Sequence, residues 1–125
     1  SSVAAAQVLF TPHLVPMSRG ILATSYSTPA AGTALSTASL LAALEAAYAD
    51  EPFVIVTDQS PSTKATLGSN NAVVTARYDE RTNRVLTLCA IDNLTKGASG
   101  GAIQAANVAL GLPEQAGLPT VGLYP

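Results

Sequence analysis

Two long strand-like runs, Ala72 to Asp79 and Arg84 to Asp92, are joined by the polar tetrad Glu80-Arg81-Thr82-Asn83. A parallel pair needs a crossover of a dozen or more residues, so a four-residue connection dictates an antiparallel hairpin. An isolated hairpin is marginally stable in water, and the rest of the chain must therefore extend and cover it. The second run ends in Asp92-Asn93. Glycine-rich residues from Lys96 to Gly101 follow, and a small-residue helical pattern begins at once. A strand that hands over to a helix in this way aims free backbone N–H groups at whatever lies in front.

Other elements alternate along the chain. Ala5 to Phe10 and Ile21 to Tyr26 read as strands, the first stopped by Thr11-Pro12. Ser36 or Thr37 reads as an N-cap, after which Leu40, Leu41, Leu44, Ala47 and Tyr48 share one helical face until Asp50-Glu51-Pro52. Phe53 to Thr57 is a short β-branched strand. Asp58 to Gly68 is a polar loop with room for a short strand near its end, and Gly68-Ser69-Asn70-Asn71 is either a plain turn or a rim. Ala98, Ala102, Ala105 and Ala109 form a stripe that lets a helix approach another backbone closely, and Gly111 and Pro113 stop it. Leu118 to Leu123 reads as a last strand. The class is α+β, a mixed, largely antiparallel sheet with helices packed on it.

Composition narrows the partners. Net charge is −2 and no basic cluster occurs, which argues against nucleic acid. No apolar run approaches the length of a membrane span, and Ser1-Ser2-Val3 shows none of the features of a signal peptide, so the expected location is cytoplasmic. Charged residues make up 11% against 48% hydrophobic, a surface short of charge that suits further contact with protein. One Cys excludes an internal disulfide and a multi-cysteine metal site, and no metal ligand set is expected.

Reactive groups are scarce. Gly97-Ala98-Ser99-Gly100-Gly101 has the letters of a nucleophile elbow, but the order Ser, acid, His fails: His13, the one histidine, lies far upstream. Cys89 sits inside an apolar strand and reads as a small hydrophobe. His13 lies in a Pro-bounded irregular segment where functional side chains concentrate. Arg19-Gly20, at a strand start, suits recognition of a carboxylate or phosphate by a fixed guanidinium fork.

The stretch Thr11-Pro12-His13-Leu14-Val15-Pro16-Met17-Ser18-Arg19-Gly20-Ile21, followed by Asp92-Asn93-Leu94-Thr95-Lys96-Gly97-Ala98-Ser99-Gly100, resembles the C-terminal portion of the N-acetyl-gamma-glutamyl-phosphate reductase family. Gly68-Ser69-Asn70 and the tail from Leu118 to Pro125 match as well, and the likeness covers essentially the whole chain. The resemblance implies the C-terminal domain fold of glyceraldehyde-phosphate dehydrogenase-like reductases. It also implies an NADPH-dependent reduction of N-acetyl-glutamyl phosphate to N-acetyl-glutamate semialdehyde in arginine biosynthesis. In that family a cysteine thiolate forms a thioester that hydride reduces, and a histidine assists proton transfer.

The family's Pro-Gly-Cys motif and its G-x-G-x-x-G fingerprint are absent from these 125 residues, and Cys89 and His13 do not stand at the catalytic positions. The chain is therefore expected to be a fragment, inactive alone, with no catalytic residue of its own. What the resemblance carries over is non-covalent. Arg19, and with it His13, would bind substrate; Asn93, Lys96 and Gly97 would face the cofactor. Residues 1–92 would form a substrate-binding and dimerisation domain. Residues 93–125 would carry a helix that packs back on the nucleotide-binding portion of the same enzyme, and the whole would be a homodimer or homotetramer. The alternative is a stand-alone interaction module that kept the fold without catalysis.

Overall fold

A computed structural model describes residues 7–123. The expected hairpin is its centre. Strand β3 (Ala72–Asp79) and strand β4 (Arg84–Ile91) pair antiparallel from Ala72↔Ile91 to Asp79↔Arg84. The turn places Asn83 in the left-handed region (φ 51°), where asparagine is tolerated best after glycine. Its amide oxygen accepts a hydrogen bond from the Tyr78 hydroxyl at 2.9 Å. Strand β1 (Ile21–Ser27) adds antiparallel to β4, and β2 (Val54–Val56) adds parallel to β3. The order β1-β4-β3-β2 gives a mixed, mainly antiparallel sheet, and the α+β class holds.

Helix α1 (Thr37–Ala47) starts where Ser36 reads as a cap. Ser36 and Ser39 exchange backbone and side-chain bonds in a capping box, each at 3.0 Å. The helix crosses between β2 and β3, packing mainly on β3, and Thr37 accepts a hydrogen bond from the Tyr78 N–H at 3.1 Å. The core beneath is small: Phe53, Ala72, Ala76, Val85 and Ala90 are the buried apolar residues. Buried polar side chains outnumber them among the described residues, with Thr66, Ser69, Asn70, Asn71, Thr75, Asp92 and Asn107 all enclosed. Enclosed polar groups need partners, and those partners build the site below.

Three local expectations are corrected. Residues 7–10 are not a strand: the segment from Gln7 to Met17 runs exposed, with Val8, Leu9, Phe10 and Leu14 all more than four-fifths accessible (residues 5 and 6 lie outside the described part). Alternation needs a neighbouring strand to become a sheet, and no described strand lies alongside. The Asp58–Gly68 loop holds a single helical turn, α2 (Thr63–Thr66), because the Ser62 hydroxyl caps the Lys64 N–H at 3.2 Å. The tail from Leu118 to Leu123 joins no strand. It runs beside residues 67–71 instead, with the Asn70 N–H donating to the Pro119 carbonyl and the Leu123 N–H to the Leu67 carbonyl, both at 2.7 Å.

The passage after β4 is also tighter than a plain handover. Residues Thr95–Ser99 form a π-helical turn, and helix α3 (Gly100–Ala109) continues from it. Gly111 (φ 67°) ends α3 as expected: the Leu112 N–H reaches the Asn107 carbonyl at 2.9 Å and the Gly111 N–H reaches Val108 at 3.2 Å, a Schellman closure. This helix packs chiefly on the π turn rather than on the sheet. Its inward face is Gly100, Gln104 and Asn107, while Ile103, Val108 and Leu110 are 45%, 61% and 74% exposed.

Candidate substrate and cofactor wall

Asp92 organises the corner. Burial pushes its carboxyl group up, but the donors around it prevail and hold it below the ordinary carboxylate range. Oδ2 accepts from the Gly68 N–H at 2.6 Å; Oδ1 accepts from the N–H groups of Leu94 and Thr95, both at 2.8 Å. The Arg19 Nη2 straddles both carboxylate oxygens at 2.9 Å and touches the Thr95 hydroxyl at 3.4 Å. Gly68 adopts φ 75°, a conformation that suits glycine, and this turns its N–H onto the carboxylate.

The neighbouring Asn93 makes a second fastening. Its Oδ1 accepts from the Gly20 N–H at 2.7 Å. The amide oxygen is thereby committed to the chain, while Nδ2 has no hydrogen-bond partner among the described residues. Gly97 stays exposed at the π turn, where its N–H closes on the Asp92 carbonyl at 2.9 Å. The segments Arg19-Gly20 and Asp92-Asn93, far apart in sequence, thus come together.

Lys96 and His13 sit differently. The Lys96 ammonium donates to Gln104 Oε1 at 2.6 Å and rests 5.3 Å from the centre of the buried Phe53 ring. Burial pulls its pKa down, against the opposing pull of Glu114 and Glu51. Gln104 Oε1 also accepts from Asn70 Nδ2 at 2.9 Å, and Gln104 Nε2 donates to Glu114 at 2.6 Å, so the lysine closes a polar network behind the turn. His13 lies in the exposed segment, its Nδ1 3.1 Å from the Thr11 carbonyl; among the described residues it makes no contact with Arg19. Cys89 is half-buried, and burial pushes its thiol up. Ser99 donates its hydroxyl to the Leu94 carbonyl at 2.8 Å, with no base beside it.

A cavity of about 290 Å³ lies between α1 and the sheet, lined by Ala23, Ser25, Leu44, Tyr48 and Cys89 among others. A smaller one of about 170 Å³ lies beside Arg19, lined by Ser18, Thr63, Lys64 and Leu67. Its lining includes the cations Arg19 and Lys64 and the hydroxyls of Ser18 and Thr63, and the charge of Arg19 is already met by Asp92. No group of three or more His, Cys, Asp or Glu suited to a metal ion occurs among the described residues, and no described helix is long and apolar enough to cross a membrane.

Sequence reading missed Asp92, Asn70 and Gln104. The signal was present: an acid closing an otherwise apolar strand, and an amide-rich turn that buries its side chains. The Gly68-Ser69-Asn70-Asn71 passage is neither plain turn nor rim but an enclosed support, with Asn71 Nδ2 donating to the Thr120 carbonyl at 2.6 Å.

The mixed four-stranded sheet with its helices is consistent with a semialdehyde dehydrogenase dimerisation domain. Residues 1–93 match the family model described as "Semialdehyde dehydrogenase, dimerisation domain", and the chain belongs to that family. Its curated relatives named N-acetyl-gamma-glutamyl-phosphate reductase include those of Arthrobacter sp. (52% identical, 97% of this chain and 35% of the relative), Paenarthrobacter aurescens (53%, 94% and 34%) and Thermus thermophilus (52%, 97% and 34%). The chain therefore spans about a third of the length of the curated relatives it matches.

Proposed function

We propose that this chain is the substrate-binding and dimerisation portion of an NADPH-dependent reductase that converts N-acetyl-glutamyl phosphate to N-acetyl-glutamate semialdehyde and phosphate, in arginine biosynthesis. The observation that carries the reading is the junction of Arg19-Gly20 with Asp92-Asn93, which brings a guanidinium next to the glycine-bearing turn after the sheet. Relatives of that name across most of this chain's length support it.

Arg19 binds the carboxylate or phosphate of the substrate beside the small cavity, and His13 lines the same pocket. Asn93 and Gly97 face the cofactor. A pinned amide oxygen and an unpaired Nδ2 fit a ligand with a carbonyl acceptor, as the carboxamide of a nicotinamide has, and Lys96 stiffens the turn through Gln104. When bound, NADPH supplies the hydride; this chain's residues bind, orient and exclude water. Residues 93–125 carry α3 back against the nucleotide-binding portion, and its exposed residues Ile103, Val108 and Leu110 are the face it offers. The enzyme is a cytoplasmic homodimer or homotetramer.

A domain exchange tests the reading. The matching third of the Thermus thermophilus reductase is replaced by this chain, and NADPH oxidation with N-acetyl-glutamyl phosphate is followed. Activity within about tenfold of the parent is expected, a loss of no more than about 1.4 kcal/mol of transition-state stabilisation. A folded, NADPH-binding chimera without turnover contradicts it.

A further inference from the structure

We propose that Asp92 is a positioning residue that sets Arg19 and the Asn93–Gly97 turn in one register, so that the substrate-binding and cofactor-facing groups move as a unit. The inference rests on the reductase reading and adds a role that it does not need. Three separate segments converge on one enclosed carboxylate: the start of β1 through Arg19, the Gly68 turn, and the turn after β4 through the Leu94 and Thr95 N–H groups. Asp92 is wholly buried, so it touches neither substrate nor cofactor and acts through its neighbours.

Geometry explains why a carboxylate is needed there. Every group aimed at Asp92 is a donor, two backbone N–H groups on Oδ1, one on Oδ2, and a guanidinium nitrogen across both. An amide at this position turns one NH2 toward donors and loses the charge that attracts Arg19. Both consequences reach the site at once, because Asn93 is the next residue and Gly20 the next after Arg19. A shift of about 1 Å at either is enough to be felt in turnover.

The test uses the full-length chimera described above, with steady-state KM values for N-acetyl-glutamyl phosphate and for NADPH measured separately. Arg19→Gln is expected to raise the first alone and Asn93→Ala the second alone. Asp92→Asn raises both, each by about tenfold. Adding Asp92→Asn to Arg19→Gln leaves the acyl-phosphate KM where Arg19→Gln put it while the NADPH KM still rises. A purely supporting role predicts less folded enzyme with both KM values unchanged, and that result, or a change in one KM alone, overturns the proposal. Should Asp92→Asn fail to fold, Asp92→Glu, which keeps the charge and displaces its oxygens, must move both KM values in the same way or the proposal falls. An unsubstituted chimera that folds and binds NADPH without turnover overturns the reductase reading, and the positioning role with it. An active unsubstituted chimera in which Asp92 moves neither KM overturns the positioning role alone.

Discussion

Arg19 and Asp92 stand 73 residues apart in sequence, yet the guanidinium Nη2 lies 2.9 Å from both carboxylate oxygens. The carboxylate is fully enclosed and the arginine side chain is 34% accessible, so the pair joins the interior to the surface. Removing one partner of a buried pair leaves the other uncompensated. Asp92→Ala is expected to destabilise the chain by about 3–5 kcal/mol. Arg19→Ala costs less, about 1–3 kcal/mol, because three backbone donors remain on the carboxylate. Urea denaturation of both variants checks the order, and equal midpoints would contradict it.

Acid should find the same carboxylate. A group whose folded pKa is depressed contributes stability above its unfolded value, near 3.8, and loses it as pH falls toward the folded pKa. Stability is therefore expected to decline from about pH 5 downward. Asp92→Asn should flatten that decline while lowering stability at pH 7. Melting temperatures at several pH values check this; a slope unaltered by the substitution would assign the acid sensitivity elsewhere.

Two glycines separate packing from backbone conformation. A Cβ on Gly100 would collide with Asn70 Oδ1 and lie 2.7 Å from the Thr95 carbonyl oxygen, both part of the fixed corner. Gly100→Ala is expected to cost about 1–3 kcal/mol through overpacking. At Gly111, φ is 67° and nothing lies within 4 Å of a new Cβ, so Gly111→Ala is charged with the left-handed conformation alone, about 1 kcal/mol. Thermal unfolding of the two variants gives the comparison, and a larger loss at Gly111 would contradict it.

The outward face of α3 should be silent in the chain by itself. Val108→Asp and Leu110→Asp replace exposed side chains, and a surface change of this kind falls within about 0.5 kcal/mol. In the assembled reductase the same substitutions should cost activity by weakening the union with the nucleotide-binding portion. Amide exchange adds a second view: α3 should exchange fast in the isolated chain and slow in the assembly. Slow exchange in the isolated monomer would contradict the reading.

Long periodic elements were legible in the sequence. The hairpin, the cap at Ser36 and the stop at Gly111 are local chemistry, and each stands where its residues place it. Elements that depend on distant partners were not. Gln7 to Phe10 has the composition of a strand and no described neighbour, and the 118–123 tail follows the 67–71 backbone without entering the sheet. At the site, Arg19 stood out by residue type and Asn93 through the family resemblance, whereas the convergence on Asp92 did not, because two of its donors, Arg19 and Gly68, lie 73 and 24 residues away. Lys96, expected to face the cofactor, donates to Gln104 and rests over the Phe53 ring.

The central claim is that this chain supplies the substrate wall and needs the nucleotide-binding portion to work. Reductase activity of the 125-residue chain, measured alone and after mixing with the remaining two-thirds of a relative as a separate polypeptide, tests it most directly. The account predicts no NADPH oxidation by either piece alone and acyl-phosphate-dependent oxidation on mixing. Folded pieces that associate and still show no turnover, or turnover by this chain alone, would contradict it.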